Sequence, residues 1–208
     1  MGGSSEYAST FANPPGIGAN PPILAKNSTI PLPNHLQLTV MNTLNDTLSK
    51  LELAQIGWVV PDINASMQFL SKTLGIEGFP QPEHFQAQDL QMDYHGKLVP
   101  GDWLTTQTYN GGTFIELIQP LTGQSMFHDY LQNHPNGGVQ HLAFRLPVDG
   151  LDRVVEDILT LGYKIISEVN HPIAKMVFFD TDKTLGTVTE IMGITEDGWK
   201  IIAAMENK

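Results

Sequence analysis

Apolar residues fall into strand-like runs and helix-like stripes from Leu51 onward. LELAQIGWVV (51–60) is dense in apolar and β-branched residues, which predicts a strand. In PDINASMQFLSKTLG (61–75), Met67, Leu70 and Leu74 recur at helical spacing and Gly75 supplies the stop. Weaker strand patterns cover Ile76 to Phe79 and Trp103 to Tyr109, and TFIELIQP (113–120) is a clear strand. Pro80 to Asp102 reads as one long, polar, turn-rich loop, a length that points to function or disorder. The order then returns. GVQHLAFRLP (138–147) reads as a strand. DGLDRVVEDILTLG (149–162) reads as a helix with Leu151, Val154, Val155, Ile158 and Leu161 on one face and Gly162 as the stop. YKIISEV, AKMVFFD and GTVTEIMG are three further strands, and residues 195–208 form a tail suited to a last short helix.

The two halves superpose as a repeat. Laid over each other, QIGWVVPDINASMQFLSKTLG and HLAFRLPVDGLDRVVEDILTLG place Gln55 on His141, Pro61 on Pro147, and Leu74-Gly75 on Leu161-Gly162. Both copies end in a strand with a glutamate near its middle, Glu116 in FIELIQ and Glu190 in VTEIMG. A duplicated βαβββ module accounts for this. Each unit leaves one sheet face uncovered, so two must pair to enclose a concave surface. The expected organisation is a Pro/Gly-rich arm over 1–48, one module over 49–135, and a second with a C-terminal tail over 136–208, all within one α+β domain. Six prolines between Pro14 and Pro33 forbid regular structure in the arm; Leu36 to Leu48 has spaced apolar residues that suit either a helix or an added strand.

Charge narrows the partners. The formal net charge is −11 and no Lys/Arg cluster exists, which excludes a polyanion such as nucleic acid as the main ligand. A local cation for a small anion stays open. There is no cysteine, so thiolate nucleophiles, disulfides and Cys-based zinc sites are excluded. No apolar run of about 18 residues is present, so no membrane span is expected. The first residues lack the basic start and apolar core of a secretory signal, so the expected location is cytoplasmic.

The βαβββ repeat resembles the vicinal oxygen chelate superfamily, which includes glyoxalase I, methylmalonyl-CoA epimerase, extradiol dioxygenases and the bleomycin- and fosfomycin-resistance proteins. The resemblance runs over about 51–193. Its most specific stretch, ELIQPLTGQSMFHDYLQNHPNGGVQHLAF, is similar to the glyoxalase- and epimerase-like branch. The fold it implies is a half-barrel of paired modules. Carried over, its metal positions are Gln55, Glu116, His141 and Glu190. Many members have His at the first position; the Gln, Glu, His, Glu set here resembles glyoxalase I of the human type.

Strand alternation is consistent with that set. Gln55, Gly57 and Val59 share one face, as do His141, Ala143 and Arg145. Ile56, Trp58, Val60, Leu142, Phe144 and Leu146 then face the helices. Gly57 and Ala143, being small, are expected to leave room for a substrate. Glu116 and Glu190 lie in apolar strands, where a lone carboxylate needs a partner or a metal. One imidazole, two carboxylates and an amide oxygen suit Zn, Ni, Co, Mn or Fe(II).

The resemblance implies a divalent-metal-dependent isomerase, epimerase or glyoxalase-type lyase. It would act on a small substrate through a metal-stabilised enolate, with Glu116 and Glu190 as base and acid, in a homodimer. An extradiol-type dioxygenase and a metal-free binding or resistance protein are the alternatives. Arg145 suits a substrate carboxylate or phosphate, or equally a surface salt bridge. Trp103 is a candidate for the pocket wall or the core. Glu83, in Pro-Glu-His, resembles a piece of methylmalonyl-CoA epimerases whose Glu is a catalytic base; the loop after it is longer here and the glycine after the His is absent. His84, His95, His128, His134 and His171 sit in polar contexts and are expected to be solvated.

Overall fold

In the computed structural model, residues 51–206 are described; the arm and the Leu36 to Leu48 stripe lie outside them. Strand β1 (Glu52–Val59) leads into helix α1 (Ile63–Leu74). Asp62 caps α1 by accepting from the Ala65 amide at 2.9 Å, and Gly75 ends it at φ 68, a conformation that glycine adopts without a Cβ penalty. The chain continues through β2 (Glu83–Gln86), β3 (Asp93–Tyr94), β4 (Lys97–Leu98), β5 (Asp102–Asn110) and β6 (Thr113–Pro120), then α2 (Met126–Asn133). The second half runs β7 (Gly138–Pro147), a 3-10 turn, α3 (Leu151–Thr160), β8 (Ile165–His171), β9 (Ala174–Phe179), the short α4 (Asp182–Leu185), β10 (Val188–Ile194) and α5 (Glu196–Glu206).

Two local expectations are corrected. Ile76 to Phe79 is not a strand; Gly78 takes a positive φ there, and Phe79 turns inward to pack beside α1. The missing strand is Glu83–Gln86, inside the supposed loop. That segment also holds β3 and β4, and it buries Ala87 and Met92 completely enough to make them core. Its polar composition hid two apolar anchors set among turns.

Eight strands form one mixed, curled sheet in the order β2-β5-β6-β1-β7-β10-β9-β8. β1 runs parallel to β6, and β7 runs parallel to β10. The halves meet where β1 and β7 pair antiparallel, so both βαβββ units join within one chain. This is the expected α+β half-barrel. α1 packs on the outer face against Trp58, Val60, Leu104 and Leu117. α3 covers the outer face of the other half through Leu151, Val154, Val155 and Ile158, with Leu146 and Phe144 beneath them. One end of the concave face is filled by Val59, Trp103, Ile118, Met126, Phe127 and Phe178. Among the described residues no helix is long and apolar enough to cross a membrane.

Candidate functional site

Four adjacent central strands, β6, β1, β7 and β10, each contribute one polar side chain to the middle of the concave face. The register shows how. Glu116 lies opposite Gly57, and His141 also lies opposite Gly57. Gln55 and Glu190 both lie opposite Ala143. Two small residues therefore form the floor, and the four longer side chains surround it. The structure brings together all four positions that the repeat marked. Gln55 Nε2 donates to Glu116 Oε2 at 2.8 Å and stands 3.1 Å from His141 Nε2. His141 Nε2 is 3.4 Å from Glu116 Oε2 and 3.4 Å from Glu190 Oε2.

The quartet is almost dry. His141 and Glu190 are 1% and 2% exposed, whereas the Glu116 side chain keeps 19% of its surface in solvent. Glu190 Oε2 is buried and has no hydrogen-bond partner, a costly state for a carboxylate oxygen. Burial pushes the Glu190 carboxyl up to about 7; the His141 imidazole opposes this and the Glu116 charge adds to it. Burial pulls His141 down, but its contact with Glu116 and the two nearby carboxylates outweigh that and leave it above its ordinary value.

Two residues that sequence reasoning passed over hold the quartet in place. Gln140 Oε1 lies 2.8 Å from His141 Nδ1, and an amide oxygen can only accept, so Nδ1 carries the proton. Nε2 is then left facing the centre. Thr105 Oγ1 donates to Glu116 Oε1 at 3.1 Å. Period-2 alternation from Trp103 along β5 was the available signal for Thr105. Gln140 had only its place next to His141.

The space beside Gly57 is not open to a substrate. A Cβ there would stand 2.0 Å from His141 Cε1, so the missing side chain makes room for the imidazole. Ala143 is fully buried. Trp103 packs in the core, edge-on to Phe127, and is 4% exposed, so core packing is where the structure puts it. Arg145 is buried at 8% exposure, with Glu52 and Glu206 on its guanidinium. Glu83 lies opposite Thr105 in the β2–β5 register, on the concave side, and burial raises its pKa. Of the remaining histidines, His84, His95 and His134 are exposed as expected, whereas His128 and His171 are half-buried. His84 meets Asp102 at 2.7 Å, and His134 stacks on Tyr130. His128 is half-buried against Ser125, with burial lowering its pKa.

The sequence model of the Glyoxalase/Bleomycin resistance protein/Dioxygenase superfamily matches residues 54–179, more than half of the chain. The chain belongs to this superfamily. No curated protein is significantly similar to it. Solved structures resemble it loosely. Methylmalonyl-CoA epimerase from Mycobacterium tuberculosis is 18% identical over 67% of this chain and 85% of that one, with a TM-score of 0.47. A Streptomyces coelicolor methylmalonyl-CoA epimerase in complex with 2-nitronate-propionyl-CoA is 20% identical over 69% and 95%, with a TM-score of 0.47. A hypothetical protein from Bacillus halodurans is 20% identical over 68% and 93%, with a TM-score of 0.46.

Among the described residues no group of three His, Asp or Glu side chains stands ready as a metal centre. The Gln55 amide group bridges His141 and Glu116. The donor set still fits a divalent ion: turning the Gln55 amide by half a rotation would present Oε1 in place of Nε2, and the orphaned Glu190 oxygen needs a positive partner.

Proposed function

We propose that this superfamily member is a divalent-metal-dependent enzyme that moves a proton on a small substrate, as an isomerase, epimerase or glyoxalase-type lyase. One observation carries the reading: a buried carboxylate oxygen without a hydrogen-bond partner sits 3.4 Å from an imidazole nitrogen, amid an amide and a second carboxylate. Gln55, Glu116, His141 and Glu190 would hold the ion. When bound, it polarises a substrate carbonyl and lowers the cost of the negative charge that develops as the α-proton leaves.

The chain's own residues divide the remaining work. Glu190 is dry and its carboxyl is pushed up to about 7, so it is suited to taking and returning a proton near neutral pH. Glu116 is the member most open to solvent, and both its oxygens are fixed, one by Gln55 and one by Thr105. It is placed to exchange a proton with water. Gln140 holds His141 in one tautomer. One imidazole with two carboxylates departs from the two-His, one-carboxylate set of oxygen-activating iron enzymes, which disfavours the dioxygenase alternative. A metal-free binding protein has one observation on its side, the quartet's mutual hydrogen bonds.

Metal titration of chelator-stripped protein separates these readings. The expected result is one equivalent of a divalent ion bound by the wild type, with at least a tenfold loss of affinity in His141→Ala, on the scale seen even for outer partners of metal ligands. In D2O, a panel of 2-oxo acids and acyl thioesters is expected to show metal-dependent exchange at the α-carbon by NMR. That exchange should disappear in Glu190→Ala and in Glu116→Gln. Full exchange in either variant would remove that residue from the chemistry, and no metal uptake by the wild type would favour the binding protein.

A further inference from the structure

Beyond the quartet, one buried cation on the concave side of the sheet is held in an unusual way. Arg145 lies on β7 four residues from His141, on the same face by alternation, roughly 13 Å away along the strand. Its Cα pairs with Met192, two positions beyond Glu190 on β10. Its side chain is 10% exposed, yet Nη1 is buried and has no hydrogen-bond partner. Nε is 3.4 Å from Glu52 and Nη2 is 3.2 Å from Glu206, both longer than a good charge-assisted bond. An arginine fork binds a carboxylate best through two parallel N–H groups, and here no carboxylate takes it that way.

The group that holds Nη2 comes from the end of the chain. α5 starts just past β10, and its Trp199 ring lies 5.3 Å from the Arg145 guanidinium carbon. Its last described residue, Glu206, also accepts from Tyr109 Oη at 3.1 Å, on β5 of the first module. α5 thus crosses from the second half of the sheet to the first over Arg145. At its far end the carboxylate on the guanidinium belongs to Glu206, at the helix terminus and 37% exposed. Two carboxylates on one guanidinium exceed its charge, so a new anion can bind only as one of them leaves. The net charge of −11 repels anions in general, which makes a local buried cation the group able to select one.

We propose that Arg145 binds a carboxylate of the substrate and that Glu206 occupies it in the unliganded protein, making α5 a displaceable cover. This deepens the proton-transfer reading and rests on it for the word substrate. The class implied is an organic acid whose free carboxylate meets Arg145 while its reacting carbon lies at the quartet. Binding exchanges one carboxylate for another at Arg145, with no covalent step.

The test uses malonate as the probe, in calorimetric titrations of the full chain, stripped of metal and dialysed free of chelator. Glu206→Gln removes the competing carboxylate at a partly exposed position, so malonate is expected to bind about threefold more tightly. Arg145→Met is expected to weaken it roughly tenfold or more. Equal affinity in wild type and Glu206→Gln overturns the proposal, and that variant keeps the test decisive if Arg145→Met fails to fold. If the wild type takes up no metal but the malonate pattern appears, the anion site stands and the proton-transfer reading falls. If metal binds and the malonate pattern is absent, the reverse holds.

Discussion

Gly57 shows how much the site depends on an atom that is absent. Its place opposite both Glu116 and His141 means that any Cβ would meet the imidazole, 2.2 Å from Nε2 and 2.4 Å from Nδ1. Those neighbours are ring atoms fixed on the far side by Gln140, so the ring can yield only by giving up that bond. Gly57→Ala is therefore expected to push His141 off the centre. Metal affinity should fall tenfold or more, on the scale of other disturbances to a ligand's orientation. Overpacking should also cost about 1–3 kcal/mol of stability. Metal titration beside a thermal melt checks both, and a Gly57→Ala variant that binds metal like the wild type would contradict this account of the floor.

At the scale of elements, α1 and α3 stabilise the sheet from outside and do not touch the quartet. α1 packs on Trp58, Val60 and Leu117, on the opposite face of β1 and β6 from Gln55 and Glu116. Its start depends on Asp62, which accepts from the Ala65 amide. Asp62→Ala should cost about 1 kcal/mol, the usual worth of such a cap. For a unit of this size that lowers the melting temperature by about 2–4 °C. Metal affinity should stay unchanged, and a change in it would mean that α1 reaches the site through the sheet. An apolar groove of about 440 Å3 lies on this outer side, between α1 and the sheet and lined by Trp58, Phe69, Leu70 and Leu74. It lies on the opposite face of the sheet from the quartet and plays no part in the proposed reaction.

At the scale of the whole molecule, the seam between β1 and β7 concentrates ionisable groups in a dry place, and stability must respond to pH. Glu190 has a folded-state pKa of about 7 against 4.5 when exposed. The folded state therefore holds a proton that the unfolded chain releases. The stabilisation is fully present below about pH 4.5 and is lost as pH rises towards 7, an effect of about 3 kcal/mol at most. His141, also raised, acts in the same sense. Metal-stripped protein should become less stable from pH 5 to pH 7.5 in urea melts, and Glu190→Gln should flatten that slope. Metal binding should show the opposite trend, tightening with pH, because the ligands must lose their protons. An unchanged slope in Glu190→Gln would show that Glu190 is not the group responsible.

The residue pattern alone gave most of the kinds of element and marked the four polar positions that meet on the concave face. The spacing of Met67 and Leu70, and of Val154, Val155 and Ile158, reflects which side of each segment leaves water, a local property, whereas Leu74 and Leu161 at the helix ends stay exposed. The repeat that set Gln55 on His141 and Glu116 beside Glu190 was legible for the same reason, because two copies of one pattern mark equivalent places. Tertiary structure decided what depends on distant segments meeting. Glu83–Gln86 became a strand because β5 offered it an edge, although its own residues gave little sign. The emptiness at Gly57 became a seat for an imidazole from the other half of the chain only when β1 and β7 paired. Arg145 found Glu206 across 61 residues. Such pairings are set by chain closure and packing between elements, which no periodicity within a single segment encodes.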